Sequence, residues 1–124
     1  MRILLVDDEK ELVSTLAERL SLRGFDADWV TNWEDALKRA AKKIYDLAIL
    51  DVKMPKIGGF KLKKKLEAIY PKMKFMFLTG HGSEDDFKKG SSETRVIDYL
   101  VKPVKIENLI KKIMSAKQDK SEDV

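Results

Sequence analysis

The sequence predicts an α/β fold in which helices cover both faces of one doubly wound parallel sheet. Short apolar runs rich in branched and aromatic residues alternate with longer segments whose apolar residues recur every three or four positions. This alternation is typical of βαβ units. Several of the runs are almost wholly apolar, as expected for strands that are buried on both faces. The five predicted strands span residues 3–6, 27–31, 47–50, 75–78 and 96–101.

Five helices are predicted between and after these strands. Apolar residues at every fourth position from 12 to 20 define the first helix, and Gly24 can end it in a left-handed conformation. The second opens at Asn32, whose side chain can cap free N–H groups at the helix start. The others are predicted over residues 60–69, from 83 until a Gly-Ser-Ser break at 90–92, and over 106–117.

Length and composition indicate a single domain. The chain has 124 residues, of which 44% are hydrophobic, enough for one core but not for a second domain. We expect a domain over residues 1–117 and a flexible polar tail over 118–124. The lack of cysteine and the presence of 1 histidine exclude disulfides, thiolate zinc sites and multi-histidine metal sites. Oxygen ligands and hard cations remain.

The N-terminal sequence favours a protein of the cytoplasm. Met and Arg are followed at once by a short strand, without the apolar stretch or the small-residue cleavage pattern of a signal peptide. No window of the sequence approaches the length of a membrane-spanning segment. We therefore expect a cytoplasmic protein that makes no contact with membranes.

The charge is modestly basic. The net charge is +4 and the pI is about 9.2, with basic clusters at residues 38–43 and 61–65. On helices, such clusters are usually solvated faces. Aromatic residues do not interleave them as a nucleic-acid surface would require. We therefore expect no direct binding of nucleic acid by this chain.

Polar residues follow four of the predicted strands, at the point where each strand ends. Asp7 and Asp8 follow the first strand, Asp51 the third, Thr79 the fourth and Lys102 the fifth. Because the carboxyl ends of parallel strands lie along one edge of a sheet, these side chains are expected to converge. Spacing alone does not determine the strand order, although the order 2-1-3-4-5 would place the ends of the first and third strands side by side.

The converging groups suit a divalent cation and a phosphoryl group. Three neighbouring carboxylates repel one another, which raises the pKa of at least one of them unless a cation is bound. With oxygen ligands alone, Mg²⁺ is the natural choice; Asp8 and Asp51 are the preferred direct ligands, with Asp7 binding directly or through water. Asp51 is the candidate nucleophile. The Lys102 ammonium and the Thr79 hydroxyl would then neutralise phosphoryl oxygens.

Four motifs give the chain a family resemblance. They are Ile-Leu-Leu-Val-Asp-Asp-Glu at 3–9, Leu-Asp-Val-Lys-Met-Pro at 50–55 with Gly-Gly at 58–59, Leu-Thr-Gly-His-Gly at 78–82, and Asp-Tyr-Leu-Val-Lys-Pro at 98–103. With them, residues 2–117 resemble the response-regulator receiver domain of two-component signalling. The resemblance extends to chemotaxis-type single-domain receivers and to receivers of enhancer-dependent activators. It implies a flavodoxin-like (βα)5 fold with the strand order 2-1-3-4-5.

The resemblance also implies roles for the strand-end residues. Asp51 would accept a phosphoryl group from a histidine kinase or a histidine phosphotransfer protein. The peptide bond between Lys102 and Pro103 would be cis, an isomer that proline makes accessible. The cofactor would be Mg²⁺ or Mn²⁺, held by Asp7, Asp8, Asp51 and the backbone carbonyl of Lys53.

A switch and its output are implied in the same way. Thr79 and Lys102 would bind the phosphoryl oxygens, and Tyr99 would be an aromatic switch residue. Thr79 and the ring of Tyr99 would move on phosphorylation and change the surface of the predicted fourth helix, fifth strand and fifth helix. That surface would serve an unidentified effector or output domain, or a homodimer formed on phosphorylation. Lys53 and His81 would modulate the lifetime of the phosphoryl group.

Other interpretations stay open at this point. Tyr99 is also what an ordinary half-buried strand aromatic looks like, and Lys53 and His81 are also ordinary rim residues. The chain departs from most receivers at residues 92–97, which predicts a shortened fourth helix. An enzymatic alternative is a Mg²⁺-dependent phosphatase or phosphotransferase with an aspartyl nucleophile, although such enzymes need a second aspartate where Lys53 stands. A further alternative is the receiver fragment of a DNA-binding transcription regulator.

Overall fold

A computed structural model describes residues 1–80 and 96–119 of the chain. His81, the predicted fourth helix and most of the departure at 92–97 lie outside the described residues. The division between a domain over 1–117 and a tail over 118–124 stays a prediction. The elements are β1 (Arg2–Val6), α1 (Lys10–Leu22), β2 (Asp26–Val30), α2 (Trp33–Lys42), β3 (Leu47–Asp51), α3 (Gly59–Ile69), β4 (Lys74–Thr79), β5 (Val96–Val101) and α4 (Ile106–Asp119).

The sheet has the predicted class and order. Its five strands are all parallel and lie in the order β2-β1-β3-β4-β5, which confirms the doubly wound, flavodoxin-like α/β fold. Every residue of the central strand β3 is buried, whereas most residues of the edge strand β2 are partly or fully exposed. The almost wholly apolar runs are therefore the inner strands, because helices cover both of their faces.

Side-chain alternation along the strands divides the core into two layers. In β1, Ile3 and Leu5 pack on the side of α1 and α4, while Leu4 and Val6 pack on the side of α2 and α3. The same division continues through β3 and β4. Within residues 1–80 and 96–119, two helices therefore pack on each face of the sheet.

The predicted helix signals are found at two helix ends. Gly24 follows α1 with a φ of +91°, a left-handed conformation that suits glycine. At the start of α2, the side chain of Asn32 accepts a hydrogen bond from the backbone N–H of Asp35 at 2.8 Å. Over residues 1–80 and 96–119, none of the helices combines the length and the apolar character needed to span a membrane.

The expectation of a solvated basic face at 61–65 is wrong for one residue. Lys63 is 1% exposed, and its Nζ lies 3.2 Å from Oε1 of Glu67 and 5.4 Å from the ring centroid of Phe75. The ion pair and the cation–π contact compensate for burial of the ammonium group. The run of lysines at 61–65 does not by itself predict either of these contacts.

Candidate functional site

The strand ends meet at one edge of the sheet. The pairing of β1 with β3 runs up to the residues just before Asp7 and Asp51, so these two acids are neighbours in the same row. Thr79 ends β4, and Lys102 follows β5 along the same edge. We call the group formed by Asp7, Asp8, Asp51 and Lys102 the acidic mouth.

Lys102 lies between two buried acids of the acidic mouth. Its Nζ atom is 2.8 Å from Oδ2 of Asp7 and 3.4 Å from Oδ2 of Asp51. Asp7 is fully buried, and Asp51 is 5% exposed. The contact with Asp7 is an ion pair without directed hydrogen-bond geometry, whereas the contact with Asp51 has hydrogen-bond geometry as well. The ammonium group of Lys102 therefore contacts two carboxylates that are both buried.

Burial and repulsion disturb the ionisation of these groups. Burial raises the pKa of Asp51, the charge of Asp7 raises it further, and Lys102 offsets only part of the effect, so that the pKa reaches about 6. Burial also raises the pKa of Asp7, against opposing contacts from Lys102 and from the backbone N–H of Glu9. For Lys102, burial would lower the pKa, but contacts with carboxylates outweigh burial and raise it. The acidic mouth therefore holds more negative charge than Lys102 neutralises.

Asp8 completes a set of three carboxylates that could hold a metal ion. Asp8 is exposed, yet one oxygen from each of Asp7, Asp8 and Asp51 lies within 4.8 Å of the others. Oxygen ligands at this spacing suit Mg²⁺, which binds a few carboxylates and keeps several waters. A divalent cation would also remove the repulsion that raises the pKa of Asp51. The residues therefore fit a divalent metal both by donor type and by charge.

Two glycines position the backbone beside Asp51. The N–H of Gly59 donates to the carbonyl of Val52 at 3.0 Å. A Cβ atom on Gly58 would lie 2.7 Å from that carbonyl oxygen, and a Cβ atom on Gly59 would collide with the carbonyl oxygen of Asp51. The start of α3 therefore packs backbone against backbone on the segment that follows Asp51, an approach that favours glycine. On the same segment, the N–H of Lys53 donates to Oδ1 of Asp51 at 3.3 Å.

Thr79 and Lys102 are linked through the backbone. The N–H of Lys102 donates to the carbonyl of Thr79 at 2.9 Å, and the peptide bond between Lys102 and Pro103 is cis. Thr79 is buried, and its hydroxyl donates to the carbonyl of Leu100 at 3.4 Å. In this structure the Thr79 hydroxyl is therefore hydrogen-bonded to the backbone of β5.

Tyr99 lies in an aromatic row on the α3 side of the sheet. It is half-buried and stacks on Phe77, with ring centroids 5.9 Å apart and an interplanar angle of 28°. Phe77 in turn contacts Phe60 of α3 at a centroid distance of 4.7 Å. Lys53 is exposed at the rim beside Asp51. The structure thus places Tyr99 where a change in β5 would reach α3 through two ring contacts.

The sequence did not reveal that Glu9 contacts Lys102 of the acidic mouth. Its Oε1 atom lies 2.9 Å from Nζ of Lys102, a residue 93 positions away in the chain. The side chain of Glu9 is 61% exposed. An acid directly after Asp7 and Asp8, at the start of a helix, was the available signal. That signal does not distinguish a capping acid from a partner of a distant lysine.

Comparison with known proteins agrees with this geometry. The response regulator receiver domain family matches residues 3–114. A response regulator receiver domain protein from Clostridium thermocellum superposes with a TM-score of 0.88 at 28% identity, covering 99% of this chain and 98% of that one. The receiver domain of the hybrid histidine kinase CckA gives a TM-score of 0.77 at 32% identity, covering 93% and 97%.

Sequence relatives are longer than this chain. The transcriptional regulatory protein RprY of Bacteroides fragilis is 34% identical over 109 residues, which are 88% of this chain and 46% of RprY. The transcriptional regulatory protein CreB of Escherichia coli is 36% identical over 99 residues, covering 80% and 43%. The chain thus spans about half the length of the curated relatives it matches. Since the family match covers most of the chain and the fold agrees, the chain belongs to the response regulator receiver domains, signalling modules of two-component systems.

Proposed function

We propose that this receiver is a phosphorylation-controlled switch in which Asp51 accepts a phosphoryl group from a histidine kinase or a histidine phosphotransfer protein. The observation that carries the proposal is the charge imbalance of the acidic mouth. Asp51 is buried beside Asp7 and contacts Lys102, yet its pKa remains raised to about 6. Excess negative charge next to one ammonium group favours the binding of a divalent cation. The cation and Lys102 can then together neutralise a phosphoryl group.

The metal of the proposal is Mg²⁺, or Mn²⁺ in its place. The ligands would be the carboxylates of Asp7, Asp8 and Asp51 and the backbone carbonyl of Lys53. When bound, the ion supplies positive charge to the Asp51 carboxylate and to the phosphoryl oxygens. The support is the set of three carboxylate oxygens within 4.8 Å of one another, which uses only hard ligands.

Asp51 is the nucleophile of the proposed transfer. One of its carboxylate oxygens forms a bond to phosphorus while the P–N bond of a phosphohistidine donor breaks, and the electron pair stays on the donor imidazole. Because such transition states are loose, the protein mainly positions the groups and neutralises oxygens. The ammonium group of Lys102, 3.4 Å from Asp51, would bind one phosphoryl oxygen. Attack of water on phosphorus later restores the carboxylate, so the chain releases no product other than phosphate.

The proposed switch begins at Thr79. To bind a phosphoryl oxygen, its hydroxyl has to leave the Leu100 carbonyl, to which it is 3.4 Å distant. Loss of that bond loosens the end of β5, and the stacked ring of Tyr99 would then turn and alter the surface that β5 and α4 help to form. Lys53 and His81, two further residues of the motifs, would modulate the lifetime of the phosphoryl group.

The test uses beryllofluoride, a mimic of the phosphoryl group, with Mg²⁺. We expect saturable binding by the wild type, followed by calorimetry, and loss of binding in Asp51→Asn. Asp26→Asn is the matched control because this acid lies in β2, away from the acidic mouth. This variant should bind beryllofluoride as the wild type does. Undiminished binding in Asp51→Asn would contradict the proposal.

The names of the relatives favour a transcriptional output. Both RprY and CreB are called transcriptional regulatory proteins, and this chain matches about half of each. We therefore propose that phosphorylation is read by a transcription-regulating effector or output domain, with a homodimer as the form that is recognised. Sedimentation of the chain with and without beryllofluoride and Mg²⁺ measures whether the homodimer forms. A sedimentation coefficient that the ligand does not change, over a wide concentration range, would argue against the dimer.

The enzymatic alternative has less support. A phosphatase with an aspartyl nucleophile needs an acid two residues after that nucleophile, and here the residue is the exposed Lys53. Turnover of generic phosphate esters by the chain would revive the alternative.

A further inference from the structure

The side chain of Glu9 makes an ion pair across the acidic mouth instead of capping its own helix. Glu9 occupies the N-cap position of α1, but its side chain makes no capping hydrogen bond there. Its Oε1 atom lies 2.9 Å from Nζ of Lys102, while its backbone N–H donates to Oδ1 of Asp7 at 2.9 Å. Because glutamate is not among the residues that commonly cap a helix through the side chain, the carboxylate of Glu9 is available to a distant partner.

Among the described residues, Lys102 has three carboxylate partners, and they differ in how easily they release it. Asp7 lies at 2.8 Å and is fully buried, whereas Glu9 lies at 2.9 Å and its side chain is 61% exposed. Asp51, at 3.4 Å, is the most distant of the three. The ammonium is therefore drawn toward Asp7 and Glu9 and away from the residue that is proposed to carry the phosphoryl group. Of the closer contacts, the exposed one with Glu9 is the easier to break.

We propose that Glu9 is a positioning residue that retains Lys102 in the unphosphorylated protein and competes with the phosphoryl group for it. This inference rests on the proposed function. A phosphoryl oxygen at Asp51 and the carboxylate of Glu9 are alternative anionic partners of one ammonium group. Formation of the phosphorylated form then requires breaking the contact between Glu9 and Lys102, and Glu9 thereby sets the affinity of the site for a phosphoryl group.

Four proteins test the proposal: the wild type, Glu9→Gln, Glu9→Asp and Glu11→Gln. Calorimetry would measure the affinity of each for beryllofluoride at saturating Mg²⁺. Glu9→Gln removes the charge, while Glu9→Asp keeps the charge on a side chain one methylene shorter that does not reach Lys102 at the present spacing. Glu11→Gln is the matched control, because Glu11 is an exposed acid in the first turn of the same helix.

We expect both Glu9 variants to bind beryllofluoride about 2- to 5-fold more tightly than the wild type, the range of an exposed ion pair. Glu11→Gln should bind like the wild type. Chemical shifts of the Lys102 side chain in labelled, ligand-free protein give a second readout, and they should change in both Glu9 variants and not in Glu11→Gln. A general effect of charge would instead leave Glu9→Asp like the wild type and shift Glu11→Gln together with Glu9→Gln.

The outcomes separate this inference from the proposed function. If the wild type binds beryllofluoride through Asp51 and the affinities of the Glu9 variants are unchanged, the role of Glu9 is overturned and the proposed function stands. A gain confined to Glu9→Gln also overturns it, because the charge and not the contact would be responsible. If the wild type fails to bind beryllofluoride, the proposed function is overturned, and the role of Glu9 that rests on it is overturned as well.

Discussion

Two groups of polar and charged side chains in this protein shift the pKa of their central aspartate in opposite directions. In the acidic mouth, two buried carboxylates share Lys102, and the pKa of Asp51 is raised to about 6. The other group, which we call the edge cluster, consists of Asp28, Lys43 and Tyr45. There, one partly buried carboxylate accepts hydrogen bonds from Lys43 at 2.9 Å and from Tyr45 at 2.6 Å. Burial would raise the pKa of Asp28, but these bonds outweigh burial and lower it.

The position of the edge cluster explains its matched charges. It joins the end of α2 to β2, an edge strand of the sheet, and Lys43 also lies 3.1 Å from Oδ1 of Asp26. Paired charges at a sheet edge stabilise the fold and discourage further strand pairing. The acidic mouth has no such balance among its described residues. Buried charge by itself therefore does not mark a functional site, whereas unmatched buried charge indicates a place for a ligand.

The largest expected effect is on the edge cluster. Asp28→Ala should lower the free energy of unfolding by about 2 to 3 kcal/mol, because the hydroxyl of the fully buried Tyr45 and the ammonium of Lys43 lose their acceptor. Urea denaturation measures the change. Asp26→Ala is the control: this acid is half-exposed, so its ion pairs should contribute less than about 1 kcal/mol. Equal losses in both variants would show that burial of the cluster does not matter.

The acidic mouth should respond in the opposite direction. Asp51→Asn should stabilise the metal-free protein by about 2 kcal/mol at pH 7, since the folded state holds the charge of Asp51 at a penalty. The pKa of Asp51 is about 6, against an ordinary value of 3.8. Folded wild type therefore binds more protons than the unfolded chain between these values and loses stability as the pH rises through this window.

The pH dependence provides the check for Asp51→Asn. Urea unfolding in the presence of a chelator should show a small advantage of the variant at pH 4 and the full advantage at pH 7. Added Mg²⁺ should reduce the advantage, because the cation relieves the repulsion around Asp51 in the wild type. An advantage of equal size at both pH values would assign the effect to packing instead of charge.

The smallest effect is expected for Tyr45→Phe. Loss of the hydroxyl should lower the free energy of unfolding by about 1 kcal/mol, because Asp28 retains its bond from Lys43. The lowered pKa of Asp28 contributes stability above pH 3.8 that is lost as the pH falls further. Tyr45→Phe should therefore lose less stability than the wild type on acidification below pH 4, as acid unfolding followed by circular dichroism would show.

Most of the fold was predictable because strand and helix periods are local properties of the chain. The observed strands begin and end within one residue of the predicted ones. Gly24 and Asn32 have the expected backbone conformation and capping bond, which depend on neighbours a few positions away. The burial of Lys63 in helix α3 was not predictable, since it depends on how α3 packs against Phe75 of strand β4 as well as on Glu67.

The candidate site was predictable in composition and only partly in geometry. The residue types at Asp7, Asp51 and Lys102 already indicated a cation and a phosphoryl group, and the strand order then placed them at one edge. The contact of Glu9 with Lys102 and the connection of Tyr45 to Asp28 were missed. Both join residues from different elements, and no periodic pattern reports such contacts.

The sequence by itself determined the order of the elements, the donor types available to a metal and the chemistry possible at each strand end. These follow from side-chain identity and from short-range periodicity. The tertiary structure decided which carboxylates share Lys102, how far the pKa of Asp51 rises, and that Asp7 and Asp8, the adjacent acids before Glu9, differ in burial. Ionisation depends on burial and on distances of a few ångströms between groups far apart in the chain, and folding alone sets both.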